Sequence, residues 1–299
     1  MDNYDGIIQD NTLPKSQDNC STNFNKSMWI EQKQKMRDDA YALIDKTAKE
    51  LIADMGLFKS YLNVQSKFDR YSVGNALLVA AQKPDAVKLA DVKSWKDNNI
   101  YIKKGEKGLI ILEPGDQFKR EDGSVGVSYN AKKMFDVTQT TAKETPISFV
   151  KKDTRILIKA LLNNCPVPVN ISDDLPNDTG AIYKHETKEI HIKSGMNGDD
   201  IFRSLSSQIA YAMMDNGNYT NPNNSFAAYC VSYIVCKRNG IDVSNYSFEQ
   251  LPSHYQEMST KDIRVELAKI RDCANELTTN MARVLEPAKQ SETRTISSR

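Results

Sequence analysis

The chain contains several long stretches in which apolar residues recur every three or four positions, the spacing that places them on one face of a helix. The most regular stretch, 260–285, repeats apolar residues in alternating steps of four and three. Gly56 and Pro84 are expected to end the first two helices, because both residue types disfavour a helix interior. The pattern predicts helices at 28–55, 61–82, 91–95, 153–162, 199–217, within 224–242 and at 260–285.

Shorter stretches alternate apolar and polar residues, which is typical of strands with one buried face. They predict strands at 100–102, 109–112, 127–137 and 167–171, a connecting loop at 114–126 and a hairpin over 180–194. Together with the helices, these strands predict an α+β fold of two domains, the first with an antiparallel sheet and the second mostly helical with a short sheet. The predicted segments are a disordered tail at 1–26, the first domain at 27–141, a Thr-rich linker at 142–150, the second domain at 151–287 and a disordered tail at 288–299.

The composition limits what the chain can bind. Its 299 residues, 39% of them hydrophobic, suffice for two ordinary cores. The net charge of +1 excludes a globally basic, histone-like binder, so any nucleic-acid site must be a local patch. No apolar run reaches the length of about 18 residues that a membrane-spanning helix needs, so no membrane partner is expected.

The five cysteines are odd in number, and none forms a Cys-x-x-Cys pair. The N-terminus is polar and lacks the hydrophobic core of a signal peptide. These features predict a reduced, cytoplasmic protein without disulfides and without a cysteine metal site. No cofactor is predicted.

The best candidate for a local patch is the glycine-containing turn at 103–108, where three lysines follow Trp95 and Tyr101. Aromatic rings can stack on bases and lysines can follow a phosphate backbone, although the same mixture also occurs on ordinary solvated surfaces. Arg70 and Asn75 carry planar hydrogen-bonding groups suited to phosphates or base edges, or alternatively to a helix cap and a buried polar network. The DNA-binding candidates are Arg70, Tyr71, Asn75, Trp95, Tyr101, Lys103, Lys104, Lys107 and Tyr129.

Three strings in the first domain carry a family resemblance. They are FDRYSVGNALLVAAQKP, SWKDNNIYIKKGEKGLIILEP and FDVTQTT. Across the span from Trp29 to Thr141 the chain resembles the N-terminal single-stranded-DNA-binding domain of ArdC-type antirestriction proteins, which also occurs in LtrC-like proteins of Gram-positive mobile elements. The resemblance implies that this domain binds single-stranded DNA, and the nine candidates are the residues in it whose chemistry suits such contacts.

In that family a zinc metallopeptidase-like domain follows, with an HExxH motif in which two histidines bind zinc and the glutamate is the general base. Aligned on the flanking helix, the three motif positions are Ser207, Gln208 and Tyr211 in this chain, and the third ligand position is Tyr229, near Ala227. None of these residues is a usual zinc ligand. The resemblance therefore implies a peptidase-like domain without metal and without catalytic residues.

The preferred hypothesis is a sequence-tolerant single-stranded-DNA-binding protein of a conjugative or phage-like mobile element, protecting incoming DNA from restriction. An alternative is an interaction scaffold, in which the degenerate groove or the helix at 260–285 holds a host or element-encoded protein. That helix can pack on its own domain or pair as a coiled coil. An active zinc peptidase would need ligands other than these positions, and His185, His191 and His254 cannot recreate the HExxH spacing on one helix.

Overall fold

The computed structural model describes residues 26–143, 152–163, 165–215 and 224–285. Helices and sheets alternate along these ranges, and the predicted α+β fold class is confirmed. The helices are α1 (Lys26–Leu51), α2 (Met55–Lys67), α3 (Val73–Gln82), α4 (Val92–Asp97), α5 (Thr154–Asn163), α6 (Gly198–Met214), α7 (Ser225–Arg238) and α8 (Thr260–Leu285).

The strands form two three-stranded sheets. The first contains β1 (Leu89–Ala90), β2 (Leu109–Lys119) and β3 (Val125–Asp136) in the order β1-β3-β2, and both pairings are antiparallel. The second contains β4 (Val169–Ser172), β5 (Ala181–Lys184) and β6 (Glu189–Lys193) in the order β4-β6-β5. In this sheet β4 is parallel to β6 and β5 is antiparallel to it, as the predicted hairpin requires.

The first predicted helix ends earlier than expected, at Leu51 and not near residue 55. Asp54 instead caps the next helix, α2, because its side chain accepts hydrogen bonds from the backbone N–H groups of Gly56 (2.8 Å) and Leu57 (3.0 Å). Gly56 therefore lies in the first turn of α2 and does not terminate α1. The prediction of one helix over 28–55 is wrong at this end.

The predicted central helix over 61–82 is two helices separated by a bend at 68–72. Ser72 starts the second, α3, by accepting a hydrogen bond from the backbone N–H of Asn75 at 3.3 Å. The buried Gln65 side chain donates to the carbonyl of Phe68 at 3.1 Å, so a backbone carbonyl of the bend is hydrogen-bonded from the protein interior. Arg70 and Tyr71 consequently lie in the bend and not on a helix.

Two strand predictions also change. The segment 100–102 forms only a single bridge, between Ile102 and Thr140. The predicted loop at 114–126 is mostly strand, because a bulge between Pro114 and Gln117 lets β2 continue to Lys119. The turn is confined to residues 120–124, where Gly123 takes a positive φ of 82°.

Helix α3 covers the outer edge of β2 through two side-chain amides. Asn75 bonds both backbone groups of Leu112 at 2.8 Å, and Gln82 bonds both backbone groups of Ile110 at 2.9 Å. Asn75 and Gln82 are seven residues apart, so they lie on one face of α3, while Ile110 and Leu112 alternate along β2. These bonds also show that α3 runs antiparallel to β2.

The predicted apolar stripe of α8 packs onto the chain itself. Its members from Ile263 to Met281 are buried, and Val284 is half-buried. Helices of the first half also contact those of the second. Tyr233, on α7, donates its hydroxyl to Asn63 of α2 at 2.7 Å. The predicted domain boundaries stay a prediction. Most of the predicted linker, residues 144–150, lies outside the described residues, and so do the tail residues 1–25 and 286–299.

Two further features of the described residues bear on the sequence analysis. None of their helices is long and apolar enough to cross a membrane. Within the same ranges the cysteines Cys165, Cys230, Cys236 and Cys273 all carry free thiols.

Candidate nucleic-acid interface and peptidase-like cleft

The segment 101–108 forms an exposed basic loop. Tyr101 is 56% exposed, and Lys103, Lys104 and Lys107 are exposed, with the Lys103 ammonium donating to the carbonyl of Thr138 at 2.9 Å. Gly105 takes a φ of 89°, which a residue with a side chain adopts only with strain, so the loop turns tightly between the lysines. The structure therefore brings four of the nine predicted residues together on one loop.

The FDVTQTT string holds this loop in place. The backbone N–H of Tyr101 donates to the hydroxyl of Thr141 at 3.0 Å, and the Tyr101 carbonyl accepts from the backbone N–H of Thr141 at 2.8 Å. The backbone N–H of Lys103 donates to the carbonyl of Gln139 at 2.9 Å. The side-chain amide of Gln139 donates to the carbonyl of Lys107 and to Glu106, both at 2.9 Å. One glutamine thus fastens both ends of the basic turn.

Asp136 anchors the FDVTQTT string to the segment at Val87 and Lys88. It is fully buried, and its carboxylate accepts bonds from the backbone N–H groups of Val87 (2.7 Å) and Lys88 (2.9 Å) and from the Thr138 hydroxyl (2.6 Å). Burial alone would raise the pKa of Asp136, but the hydrogen bonds outweigh it and lower that pKa. Sequence reasoning missed Asp136 and Gln139 as site residues, although their three-residue spacing is that of a capping box.

Trp95 and Asn75 are placed inside the fold. Trp95 is 3% exposed, and its indole N–H donates to the carbonyl of Phe135 at 3.0 Å. Asn75 uses both ends of its amide on Leu112. In this arrangement Trp95 presents no open face for a base, and Asn75 has no free amide for a base edge.

Arg70 is exposed, whereas Tyr71 is half-buried with its ring stacked on Phe68 at 5.0 Å. Burial, with a smaller contribution from the charge of Glu113, raises the pKa of Tyr71. Because α3 is antiparallel to β2, Arg70 and the basic loop lie at opposite ends of α3, about 15 Å apart at 1.5 Å per residue.

Tyr129 is 40% exposed and lies on the hairpin of β2 and β3, opposite Pro114. That position is five residues beyond the start of β2, about 17 Å along the strand from the basic loop. The structure therefore leaves Arg70, Tyr71 and Tyr129 apart from the basic loop.

The positions that the resemblance assigns to the zinc motif lie on α6 and α7, and three of the four are hydrogen-bonded within the protein. Gln208 accepts a hydrogen bond from the backbone N–H of Tyr183 at 2.8 Å. The Tyr211 hydroxyl lies 3.1 Å from His185 Nε2, and the Tyr229 hydroxyl accepts from the backbone N–H of Ser247 at 2.9 Å.

The residues at these positions do not fit a divalent metal. An amide, a serine hydroxyl and two phenols replace the imidazoles and carboxylates that zinc or manganese prefers. Three of the four are already hydrogen-bonded to protein atoms. In the described ranges, no group of three or more His, Cys, Asp or Glu residues could hold a metal ion.

A polar cluster lies beside these positions, centred on Asp215. Its carboxylate accepts from Tyr183 (2.7 Å) and Lys188 (2.5 Å) and lies 2.8 Å from His185 Nδ1. The bond from Lys188 is the main reason that the pKa of Asp215 is lowered. His191, the other histidine considered for zinc, lies 3.3 Å from Glu189.

A cleft of about 300 Å³ lies next to the positions that the resemblance assigns to the zinc motif. Ser207, Gln208 and Tyr229 line it together with the strand residue Ala181. Among the described strands β5 pairs with β6 alone, and on its other edge the N–H of Tyr183 bonds Gln208 of α6 beside the cleft. Such an edge carries backbone groups that an added strand can bond.

The fold and these two sites define a class of protein: an α+β chain with an exposed basic loop held by Gln139 and a cleft between helices and a small sheet. No protein-family model matches the chain. Its structure is similar to the crystal structure of the antirestriction protein ArdC of plasmid R388 in metal-free form. The TM-score is 0.55 at 14% identity, over 81% of this chain and 98% of that one. The predicted ArdC resemblance is confirmed at the level of fold.

The Mn(II)-bound form of the same ArdC protein gives a TM-score of 0.54 at 15% identity, over 80% of this chain and 98% of that one. In sequence, the uncharacterized protein pXO2-81 of Bacillus anthracis is 23% identical over 275 residues, covering 72% of this chain and 46% of that protein. The chain thus spans about half the length of the curated relative it matches.

Proposed function

We propose that this protein binds single-stranded DNA of a mobile genetic element and protects it from restriction. The observation that carries the proposal is the basic loop, in which three exposed lysines and an exposed tyrosine are held by the Asp136–Gln139 clamp. The antirestriction role is supported by the ArdC fold, because both similar crystal structures are of an antirestriction protein.

The chemistry of the loop suits a flexible strand. Lysine ammonium groups on a rigid turn attract phosphates, and the backbone N–H groups of a glycine turn can add to that attraction. Tyr101 offers a face on which any base can stack. We therefore expect binding that tolerates any sequence, weakens with salt and favours single over double strands, whose bases hide their faces.

The remaining predicted residues take different places in this proposal. Arg70, Tyr71 and Tyr129 are proposed as outlying contacts along the strand. Trp95 and Asn75 are proposed to act indirectly, by supporting the sheet behind the loop. Free thiols at the described cysteines support a reducing, cytoplasmic location for this activity.

The test uses the full chain and a labelled oligonucleotide of about 30 bases, with fluorescence anisotropy at two salt concentrations. Replacing Lys103, Lys104 and Lys107 with alanine is expected to weaken binding. It should also reduce the salt slope by about two, since each phosphate contact contributes roughly 0.7 on a single strand.

The matched control removes three exposed lysines elsewhere, Lys49, Lys59 and Lys261. It changes the net charge equally and is expected to retain the wild-type slope. A folded loop variant that binds with unchanged affinity and slope would overturn the proposed site.

The second half is proposed to be an inactive peptidase-like domain. Support comes from the donor groups at the former motif, which suit neither metal binding nor proton abstraction: Gln208 cannot act as a general base in place of glutamate. Stoichiometric zinc in the purified protein, lost on His185→Ala or His191→Ala, would revive the peptidase hypothesis.

A second candidate function is protein interaction at the cleft, favoured by the edge of β5 that faces it, where Gln208 bonds the N–H of Tyr183. An extended segment of a host or element protein could add to that edge. Ser207→Trp would fill the cleft without touching the basic loop. If a partner co-purifies with the wild-type chain and equally well with Ser207→Trp, the cleft does not bind it.

A further inference from the structure

The first part of α1 extends beyond the hydrophobic core. None of residues 27–39 is buried, and the first buried residue of the helix is Ala40. Within this extension Met28, Trp29 and Ile30 are 55%, 48% and 52% exposed. Three large, partly exposed apolar residues therefore lie next to one another at the start of a polar helix, and exposed apolar patches often mark binding sites.

This extension forms one wall of a groove of about 430 Å³, and the other wall is β3. Trp29, Lys33 and Arg37 follow one another at four-residue spacing, so they form a single stripe on the wall of α1. Asn130 and Ala131 of β3 face them across the groove. The volume lies within the range of small-molecule sites.

The charge of the groove is positive. Among the described residues that line it, two are cationic and none is acidic. The Lys33 ammonium lies 5.7 Å from the centre of the Trp29 ring, so cation and indole are already adjacent. The nearest recorded carboxylate partner, Asp38, is 4.0 Å from Arg37 Nε and therefore only partly offsets its charge.

We infer that this groove holds a nucleobase of single-stranded DNA against Trp29, with the adjoining phosphates beside Lys33 and Arg37. The inference rests on the proposed function and extends it to a second contact region, between α1 and β3. Tyr129 is two residues from Ala131 in β3, so the exposed ring already proposed as an outlying contact shares a strand face with one wall residue of the groove. An indole stacks on any base, which keeps the binding tolerant of sequence.

The tryptophan content of the chain gives a direct test, because the chain has two tryptophans and Trp95 is buried. Intrinsic fluorescence of the full-length wild-type protein is titrated with unlabelled oligo(dT) of about 30 bases. Stacking on Trp29 is expected to quench the emission, and Trp29→Phe should abolish that change while still binding. Anisotropy with the labelled oligonucleotide measures affinity in parallel.

Loss of one stacked base is expected to weaken binding about tenfold in Trp29→Ala, within the range of such contacts. Trp29→Phe should retain most of the affinity, since its ring can still stack. Met28→Ala is the matched control, because Met28 is equally exposed but does not line the groove. Lys33→Glu should lower the salt slope.

The outcomes separate the two proposals. If the oligonucleotide binds and Trp29→Ala retains wild-type affinity with no quenching in the wild type, the groove inference is overturned and the proposed function stands. If the wild-type chain binds no oligonucleotide even at low salt, both are overturned. Quenching with selective loss of affinity in Trp29→Ala, but not in Met28→Ala, supports the groove.

Discussion

Arg238 joins the two halves of the chain, and its removal is the sharpest test of their coupling. Its guanidinium, at the end of α7, donates to the carbonyls of Ser66 (3.2 Å) and Gln65 (3.1 Å) on α2. It also donates to the side chains of Asn275 (2.8 Å) and Thr278 (3.2 Å) on α8. The guanidinium of Arg238 therefore hydrogen-bonds both α2, in the first half of the chain, and α8, in the second, and all of these acceptors are uncharged.

The magnitude follows from two opposing effects. Burial lowers the pKa of Arg238 to about 10 from 12.5, which corresponds to about 3 kcal/mol against its charged form. Hydrogen bonds from a charged donor contribute about 1.5–3 kcal/mol each, and at least three here are well placed. Arg238→Ala leaves those acceptors without a donor, so we expect a net loss of about 3 kcal/mol.

The assay is urea unfolding followed by circular dichroism, with linear extrapolation of the free energy of unfolding. Arg238→Lys should lose less than Arg238→Ala, because an ammonium can still reach one or two of the acceptors. Arg283→Ala is the control, since Arg283 is exposed near the end of the same helix, α8, that Arg238 contacts. A loss below about 0.5 kcal/mol in Arg238→Ala, or an equal loss in Arg283→Ala, would refute the reasoning.

Three further outcomes are expected. Asp136→Asn should lower the stability of the fold at pH 7 and make that stability change less as the pH falls into the acid range. The lowered pKa of Asp136 stabilises the fold above about pH 4, and that stabilisation is lost as pH falls through the folded pKa, which melting curves between pH 7 and 3 would show. Gly105→Ala should cost about 1 kcal/mol from its positive φ alone, because no atom lies within 4 Å of the added methyl; an unchanged melting temperature would contradict this. Elemental analysis of purified protein should find well under one zinc per chain, and EDTA should leave its melting temperature unchanged.

Periodicity predicted the elements that are long and amphipathic. The bounds of α8 follow from its repeating apolar stripe, and the second hairpin follows from its alternation. The same signal failed where apolar residues continue through a bend, because it does not register the caps at Asp54 and Ser72. Those caps act through one hydrogen bond or two, which leave little trace in a hydrophobic pattern.

The sequence predicted which residue types the candidate site contains, but not where their side chains lie in space. A lysine-rich glycine turn is exposed in most folds, so the loop at 103–108 was found from its residue types. Whether a tryptophan lies on the surface or beneath it depends on distant partners, and the carbonyl of Phe135 decides it for Trp95. Trp29 was missed for the converse reason, since a start-of-helix tryptophan resembles a core residue in sequence.

The paired amides of Asn75 and Gln82 have a consequence for how the protein behaves in a crowded cell. They occupy the backbone groups of Ile110 and Leu112 in the manner of a neighbouring strand, yet they belong to a helix and cannot be extended. The first part of β2 is thereby closed to strand exchange along this edge, where a bare edge could template aggregation between copies. Replacing both amides with leucine, which keeps the apolar contact, should leave a monomer at low concentration that self-associates as concentration rises, visible by light scattering.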